Sequence, residues 1–356
     1  MIFFNSDYLE GCCPQILDRL QETNLEQTVG YGCDDYCERA RDLIRHLCAR
    51  PDADVHFLVG GTQTNATVIA SVLRPYQGVM CASTGHINVH ETGAIEHTGH
   101  KVIPLPSVDG KLCASDVDVC LKAHFDQDGS EHEVQPGMLY ISYPTELGTL
   151  YTREELSDLK QVCEKYEIPL FVDGARLGYG LASEKCDLTL PDLASLCDVF
   201  YIGGTKQGAL FGEAVVIYNE RLKKDFRYFI KQGGGMLAKG RLLGLQFETL
   251  LSPEQGSAAA GKGIEDSLYF TLARNADIKA SLLRDGFAAA GCEFFVQSFT
   301  NQIFPILSRE LVSRFDGRIG YQLWKDLPDG RRVARFCTSW ASPTYDVDFL
   351  LGLLKK

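Results

Sequence analysis

DVFYIGGTKQGALFG, residues 198–212, joins an apolar run to a lysine fenced by glycines. Val199 to Ile202 read as a buried strand, which Gly203 and Gly204 end before Thr205, Lys206 and Gly208. Lys206 thus stands at the end of an inner strand, where little side-chain bulk keeps a bound molecule away. A lysine desolvated there becomes nucleophilic. Taken alone, the stretch suits a surface lysine in a turn equally well.

A second stretch bears on that choice. PLFVDGARL, residues 169–177, is another short apolar strand that ends on Asp173, with Arg176 three residues later. A carboxylate at the end of a buried strand must be paired or neutralised, and a pyridinium nitrogen would satisfy it. A Schiff-base lysine for an aldehyde, with an acid that keeps the ring nitrogen protonated, is what a pyridoxal phosphate enzyme requires. On these residues the chain resembles the fold-type-I pyridoxal phosphate enzymes, and more narrowly the threonine aldolase and β-eliminating lyase family. DGAR at 173–176 is similar to the family's D-x-A-R segment, and the Lys206 stretch to the lysine segment that follows it.

Composition bounds the alternatives. The chain has 356 residues, enough for a large and a smaller domain, and 45% hydrophobic with 23% charged residues is ordinary for a globular protein. A net charge of −12 argues against nucleic acid or an acidic membrane as partner. No apolar run suits a membrane span, and MIFFNSDYLEG lacks the features of a signal peptide, so the expected location is cytoplasmic. The 13 cysteines are scattered without a C-x-x-C pair, and Cys33 and Cys37 have no second pair at zinc spacing, so neither a metal nor a disulfide is expected.

Seven apolar strands interspersed with helices predict an α/β fold with a mostly parallel sheet. They fall at 54–59, 79–82, 101–105, 138–143, 170–173, 199–202 and 214–218. Sites in such sheets gather past the carboxyl ends of the strands. After the first comes GGTQTN, a glycine-rich strand-to-helix turn whose N–H groups and helix dipole suit a phosphate, with Gly61 and Thr62 as contacts. After the second comes GHINVHETGA, where His86, His90 and Glu91 lie close together. The H-E-x-x-H order of a zinc site is absent.

SPEQGSAAAGKG at 252–263 is the clearest shift in composition and reads as a linker. It divides a large domain, 1–251, from a small C-terminal α/β domain, 252–356. The resemblance runs from about Ser6 to about Trp340 and is densest between Gly60 and Gly244. It implies the aspartate aminotransferase fold, with pyridoxal 5′-phosphate held by Lys206 and its ring nitrogen by Asp173. It further implies that His86 lies on the ring, that Glu91 is the family's glutamate, and that Arg176 meets the ring phenolate oxygen or the aspartate region.

For the substrate, the family's Ser-Asp points to Ser6 and its R-F/L-x-T-x-W segment to Arg335, whose planar fork matches a carboxylate. Read without the resemblance, Ser6 and Asp7 are a helix start or turn and Arg335 an edge-strand salt bridge. Tyr31 lies in a loop similar to one that reaches a neighbouring subunit. KQGGGM continues the likeness, but Leu237 stands where many members carry arginine, leaving Lys231, Lys239 or Arg241 to contact the phosphate. The implied function is cleavage of threonine or allo-threonine to glycine and acetaldehyde, in a homo-oligomer, a dimer of dimers, with shared sites. The hydroxyl proton would go to His86, to a water held by Glu91, or to another histidine. A β-eliminating lyase on the same scaffold is the alternative.

Overall fold

A computed structural model of the chain describes residues 1–253 and 263–355. Its central sheet has seven strands: β1 (Asp54–Leu58), β2 (Gln77–Ala82), β3 (Lys101–Leu105), β4 (Gln135–Ser142), β5 (Leu170–Asp173), β6 (Val199–Gly203) and β7 (Glu213–Ile217). Their order is β1-β7-β6-β5-β4-β2-β3. Neighbours are parallel except at β7, which is antiparallel to both β1 and β6.

The inner strands β5, β6 and β7 are largely apolar and buried throughout because both faces of the sheet are covered. Alternation sends Leu139, Ile141, Leu170, Val172, Phe200 and Ile202 to one face, against helices Asp35–Leu47, Arg153–Lys165 and Arg241–Leu251. Met138, Tyr140, Phe171, Val199 and Tyr201 go to the other, against Val68 and Ile69 of helix Gly61–Val72. Each fully buried side chain of this size contributes about 1.5–3 kcal/mol relative to exposure. Two such layers fix the register, since a one-residue slip would exchange the faces.

That register builds one edge of the sheet into a site. β1, β2, β4, β5 and β6 all end there. β7 runs the other way, so its first residue reaches the same edge: Glu213 lies opposite Leu58 on one side and Gly203 on the other.

Beyond the sheet, helix Leu268–Ala289 leads into short antiparallel strands at Gln302–Ile303, Ile306–Leu307, Gln322–Asp326 and Arg332–Cys337, and helix Thr344–Leu354 closes the chain. Gln302–Ile303 and Ile306–Leu307 are separate strands, divided at Pro305, which has no N–H to give a ladder. Phe294 pairs with Pro305 in a single bridge. Gly233, Gly234 and Gly235 follow the end of helix Phe226–Gln232, and the next helix begins at Arg241.

The chain start also departs from expectation. Ile2–Phe3 pairs with Ile319–Gly320, and Phe4 packs among Leu283, Ile303 and Phe336, so the first residues join the core of the C-terminal unit. Helix Pro14–Glu22 starts well after Ser6 and Asp7, which do not cap it. The linker expected at 252–263 falls outside the described residues except at its ends. No helix among the described residues is long and apolar enough to cross a membrane.

Candidate active site

Asp173 ends β5 on the face covered by helix Gly61–Val72, and the strands on either side present tyrosines to it. Tyr140 Oη donates to Oδ2 at 2.6 Å and Tyr201 Oη to Oδ1 at 2.5 Å. Asn65 Nδ2 donates to Oδ2 at 2.9 Å and the Ala175 amide to Oδ1 at 3.0 Å. Burial alone would raise the pKa of this carboxyl; the His86 charge and these donors outweigh it and hold the pKa below the usual range. Asp173 is therefore an anion at neutral pH, although it is only 4% exposed.

Lys206 follows β6 through the Gly203–Gly204 turn. Gly203 is required there, because a Cβ would lie 2.4 Å from the Ala175 carbonyl oxygen. Among the described residues no hydrogen bond or ion pair to the Lys206 ammonium is recorded. Burial and the Arg176 charge lower its pKa, against Asp7, Asp173 and Glu213. Glu213, absent from the sequence reading, accepts from Thr205 Oγ1 at 2.9 Å and the Gly204 amide at 3.3 Å. Burial pushes its carboxyl up to about 8.

Arg176 lines the cavities described below but makes no hydrogen bond to Asp173. Its Nε and Nη2 donate to Asp7 Oδ2 and Oδ1 at 2.6 and 3.0 Å, and Asn301 Nδ2 donates to the same carboxylate at 2.9 Å. Asp7 is thus the buried counterion of Arg176, not a helix start. Its partner lies 169 residues away, so no local pattern announced it. Burial raises the Asp7 pKa, but Arg176 overcomes this and brings it to about 2.

A depressed folded pKa contributes stability that is present above the unfolded value, near 3.8, and lost as pH falls through about 2. Asp7→Asn should cost about 3–5 kcal/mol at pH 7, the scale for stripping one partner from a buried pair. The gap from wild type should narrow between pH 5 and pH 2. Urea unfolding at several pH values measures both; a gap independent of pH would contradict the assignment.

His86 opens the short helix after β2. Its Nδ1 lies 2.7 Å from Glu91 Oε1, which also accepts from Asn65 Nδ2 at 2.7 Å, so Asn65 links this pair to Asp173. The His86 amide donates to Glu146 Oε1 at 2.9 Å, and Ser142 Oγ to the same oxygen at 2.6 Å. Glu146 is 7% exposed and also went unseen in the sequence.

A cavity of about 260 Å³ is lined by Gly60, Gly61, Thr62, Asn65, His86, Glu146, Asp173, Arg176, Thr205, Lys206 and Glu213. A second, of about 250 Å³, shares Tyr8, His86, Glu146, Arg176 and Lys206 with it and adds His90, Gln322, Trp324 and Arg335. A larger cleft beside helix Asp35–Leu47 contains none of these residues.

Arg335 carries no carboxylate partner among the described residues. Its Nη1 donates to Gln302 Oε1 at 3.1 Å and Nη2 to the Asn5 carbonyl at 3.4 Å, and its guanidinium lies over Trp324. The edge-strand salt bridge is therefore not formed. Ser6 is buried with its hydroxyl unpartnered, and Tyr8 rather than Ser6 lines the cavities.

Tyr31 and Lys231 are brought together, with Nζ 4.9 Å from the ring centroid. They lie on an outer cleft with Tyr228 and Met236, away from Lys206. Within one chain neither lines the strand-end cavities. Arg241 donates to the Thr23 carbonyl, leaving Lys231 and Lys239 as the exposed cations of that loop.

The family model of β-eliminating lyases matches residues 4–305. A low specificity L-threonine aldolase of Pseudomonas aeruginosa is 30% identical over 341 residues, 95% of this chain and 92% of that protein. The solved structure of Leishmania major threonine aldolase superposes with a TM-score of 0.93 at 42% identity, covering 100% of this chain and 99% of that one. An aspartate aminotransferase of Thermus thermophilus, at 12% identity and TM-score 0.70 over 99% of this chain and 90% of that one, shares the fold alone. The chain belongs to the β-eliminating lyase family and, within it, groups with the threonine aldolases.

Proposed function

We propose that this enzyme cleaves L-threonine and L-allo-threonine to glycine and acetaldehyde, using pyridoxal 5′-phosphate in the strand-end cavity. The observation that carries this is the pairing of a Lys206 amine and a buried Asp173 anion in one cavity with Arg335 in the next, neither Lys206 nor Arg335 having a carboxylate partner among the described residues.

The residues fit the cofactor, with one adjustment. Gly60 and Gly61 open a 12-residue helix at the cavity, so free N–H groups and the positive helix end face a phosphate. Asp173 offers about four acceptor positions, and all are taken by Tyr140, Tyr201, Asn65 and Ala175. A ring N–H needs one of them. Tyr140 Oη lies 3.3 Å from Ser142 Oγ as well, so its hydroxyl can turn to the serine and leave Oδ2 open.

When bound, pyridoxal phosphate supplies an aldehyde for a lysine and a sink for the electron pair left at Cα. Lys206, with its lowered pKa, keeps a share of neutral amine for that aldehyde. Asp173, its pKa held below the usual carboxylate range, would hold the ring proton. His86, fixed by Glu91, forms the wall over the cavity. Arg335 would clamp the α-carboxylate and so set which bond at Cα is broken.

Arg335→Lys keeps the charge but not the fork. We expect kcat/KM for threonine to fall about 10–100-fold, the scale of losing a charge-assisted pair, with the absorbance of bound cofactor unchanged. Unchanged threonine kinetics would remove Arg335 from the site.

The Tyr31–Lys231 surface, with Val29 and Tyr228 exposed beside it, supports a homo-oligomer in which each site takes residues from a second copy. The functional test is product analysis: threonine, allo-threonine and phenylserine should release glycine and an aldehyde, whereas cysteine should yield no pyruvate. Pyruvate release without glycine would make the enzyme a β-eliminating lyase.

A further inference from the structure

The hydroxyl group of a β-hydroxy substrate must lose its proton as the Cα–Cβ bond breaks, and three groups near the cavities could receive it. His90 stands at the exposed rim, its ring 5.6 Å from that of His86. His86 is committed through Nδ1 to Glu91 and so to the Asn65–Asp173 array on the cofactor side. Glu146 is the third. It lines both cavities, at the place where they share a wall with Lys206.

Its setting is that of a working carboxylate. Ser142 Oγ and the His86 amide both donate to Oε1, which fixes the group without giving it a cation. Among the described residues Oε2 makes no hydrogen bond and, unlike Glu91 Oε2, it is not a buried orphan. Gly148, at φ +70°, shapes the turn that carries it; a Cβ there would meet Ser298 Oγ and Thr300 Oγ1. Resting on the aldolase reading above, we propose that Glu146 is the base that takes the β-hydroxyl proton.

The step balances. The O–H proton passes to Glu146, and the O–H pair becomes the second bond of the aldehyde carbonyl. The Cα–Cβ pair passes to Cα, which takes a proton from the Lys206 ammonium; Lys206 regains one from solvent as Glu146 gives its own up.

Burial raises the Glu146 pKa, Ser142 draws it back, and Asp173 raises it against His86. The other groups facing it are Tyr140 on β4, Tyr151 beyond the turn and Cys81 on β2, all of them kept neutral by burial. Arg176, Lys206 and Arg335 stand across the cavities. Burial and the Asp173 charge make the carboxylate more basic than a free glutamate, as proton abstraction requires.

Glu146→Gln keeps the shape and the acceptor for Ser142 and His86 but cannot take a proton. We expect threonine cleavage to fall about 10²–10⁴-fold, with loss of the acid limb of the kcat/KM profile. Cofactor absorbance, thermal stability and exchange of the glycine α-proton in heavy water should stay as in wild type, since none of these needs a base at Cβ. Near-normal cleavage with an unchanged profile would overturn the assignment in favour of His86 or His90. Loss of cofactor and of glycine exchange together with cleavage would overturn it in favour of a structural role. Wild-type protein that exchanges the glycine proton but cleaves no β-hydroxy amino acid would fail the aldolase reading itself, a result distinct from the other two.

Discussion

Lys206→Ala is expected to abolish the visible absorbance of added pyridoxal phosphate and to lower threonine cleavage on the order of 10⁴-fold or more, the scale at which covalent participants are lost. The protein should remain folded. Among the described residues the Lys206 ammonium has no hydrogen bond or ion pair to lose, and its side chain lines a cavity. The loss would therefore be chemical: among the described residues no other lysine lines either strand-end cavity to take over the aldehyde. Glu213 provides a secondary signature. The Lys206 charge lowers its pKa, so without Lys206 its carboxyl should be protonated over a wider range and the turn at Gly204 should keep its hydrogen bonds. Absorbance titration, threonine assays and far-ultraviolet circular dichroism measure the three effects. Turnover near the wild-type rate would sink the assignment of Lys206.

What the sequence revealed of this site was what lies just past a strand end. Gly61, His86, Asp173 and Lys206 each follow an apolar run within a few residues, and parallel strands deliver such residues to one edge whatever the details of the sheet. Tyr140 and Tyr201 were also in the sequence, but as apolar-run residues with nothing to mark them. Their role depends on alternation and register, which put both on the Asp173 face of neighbouring strands. Glu213 was hidden by direction. It begins β7 instead of ending it, and only the antiparallel course of that strand brings it beside Lys206.

Arg176 shows a different limit. Its place after Asp173 suggested a partner close by, yet a buried guanidinium seeks a full counterion, and Asp173 is already held by four donors. Asp7 supplies one from the chain start, which the pairing of Ile2–Phe3 with Ile319–Gly320 draws across the C-terminal unit. A residue placed by two distant pairings has no signature in any window of sequence. Tyr31 and Lys231 were legible as a glycine-turn loop and a glycine-rich loop, but the single chain leaves them on its surface.

The second large effect is at Asp173. Asparagine has nearly the shape of aspartate but presents one N–H₂ where four donors now converge. Either Tyr140 and Asn65, or Tyr201 and the Ala175 amide, would then face a donor instead of an acceptor. The tyrosine hydroxyls can turn, Tyr140 towards Ser142, but the Asn65 amide and the Ala175 N–H cannot become acceptors in place. Asp173→Asn should therefore cost about 1–3 kcal/mol, as expected for a buried group left unsatisfied. The chemical loss is larger. A neutral amide cannot hold a pyridinium proton, so the charge that stabilises the electron pair at Cα is gone, and threonine cleavage should fall about 10²–10³-fold. Cofactor should still load, because Lys206 and the Gly60–Gly61 turn are untouched. Because Asp173 is depressed below the usual carboxylate range, the wild-type rate should show no limb from it near neutral pH, and lowering the pH should not rescue the asparagine variant. Chemical denaturation, cofactor titration and threonine kinetics separate the two contributions. A variant that loses stability but keeps the wild-type rate would confine Asp173 to holding Tyr140, Tyr201 and Asn65 in place.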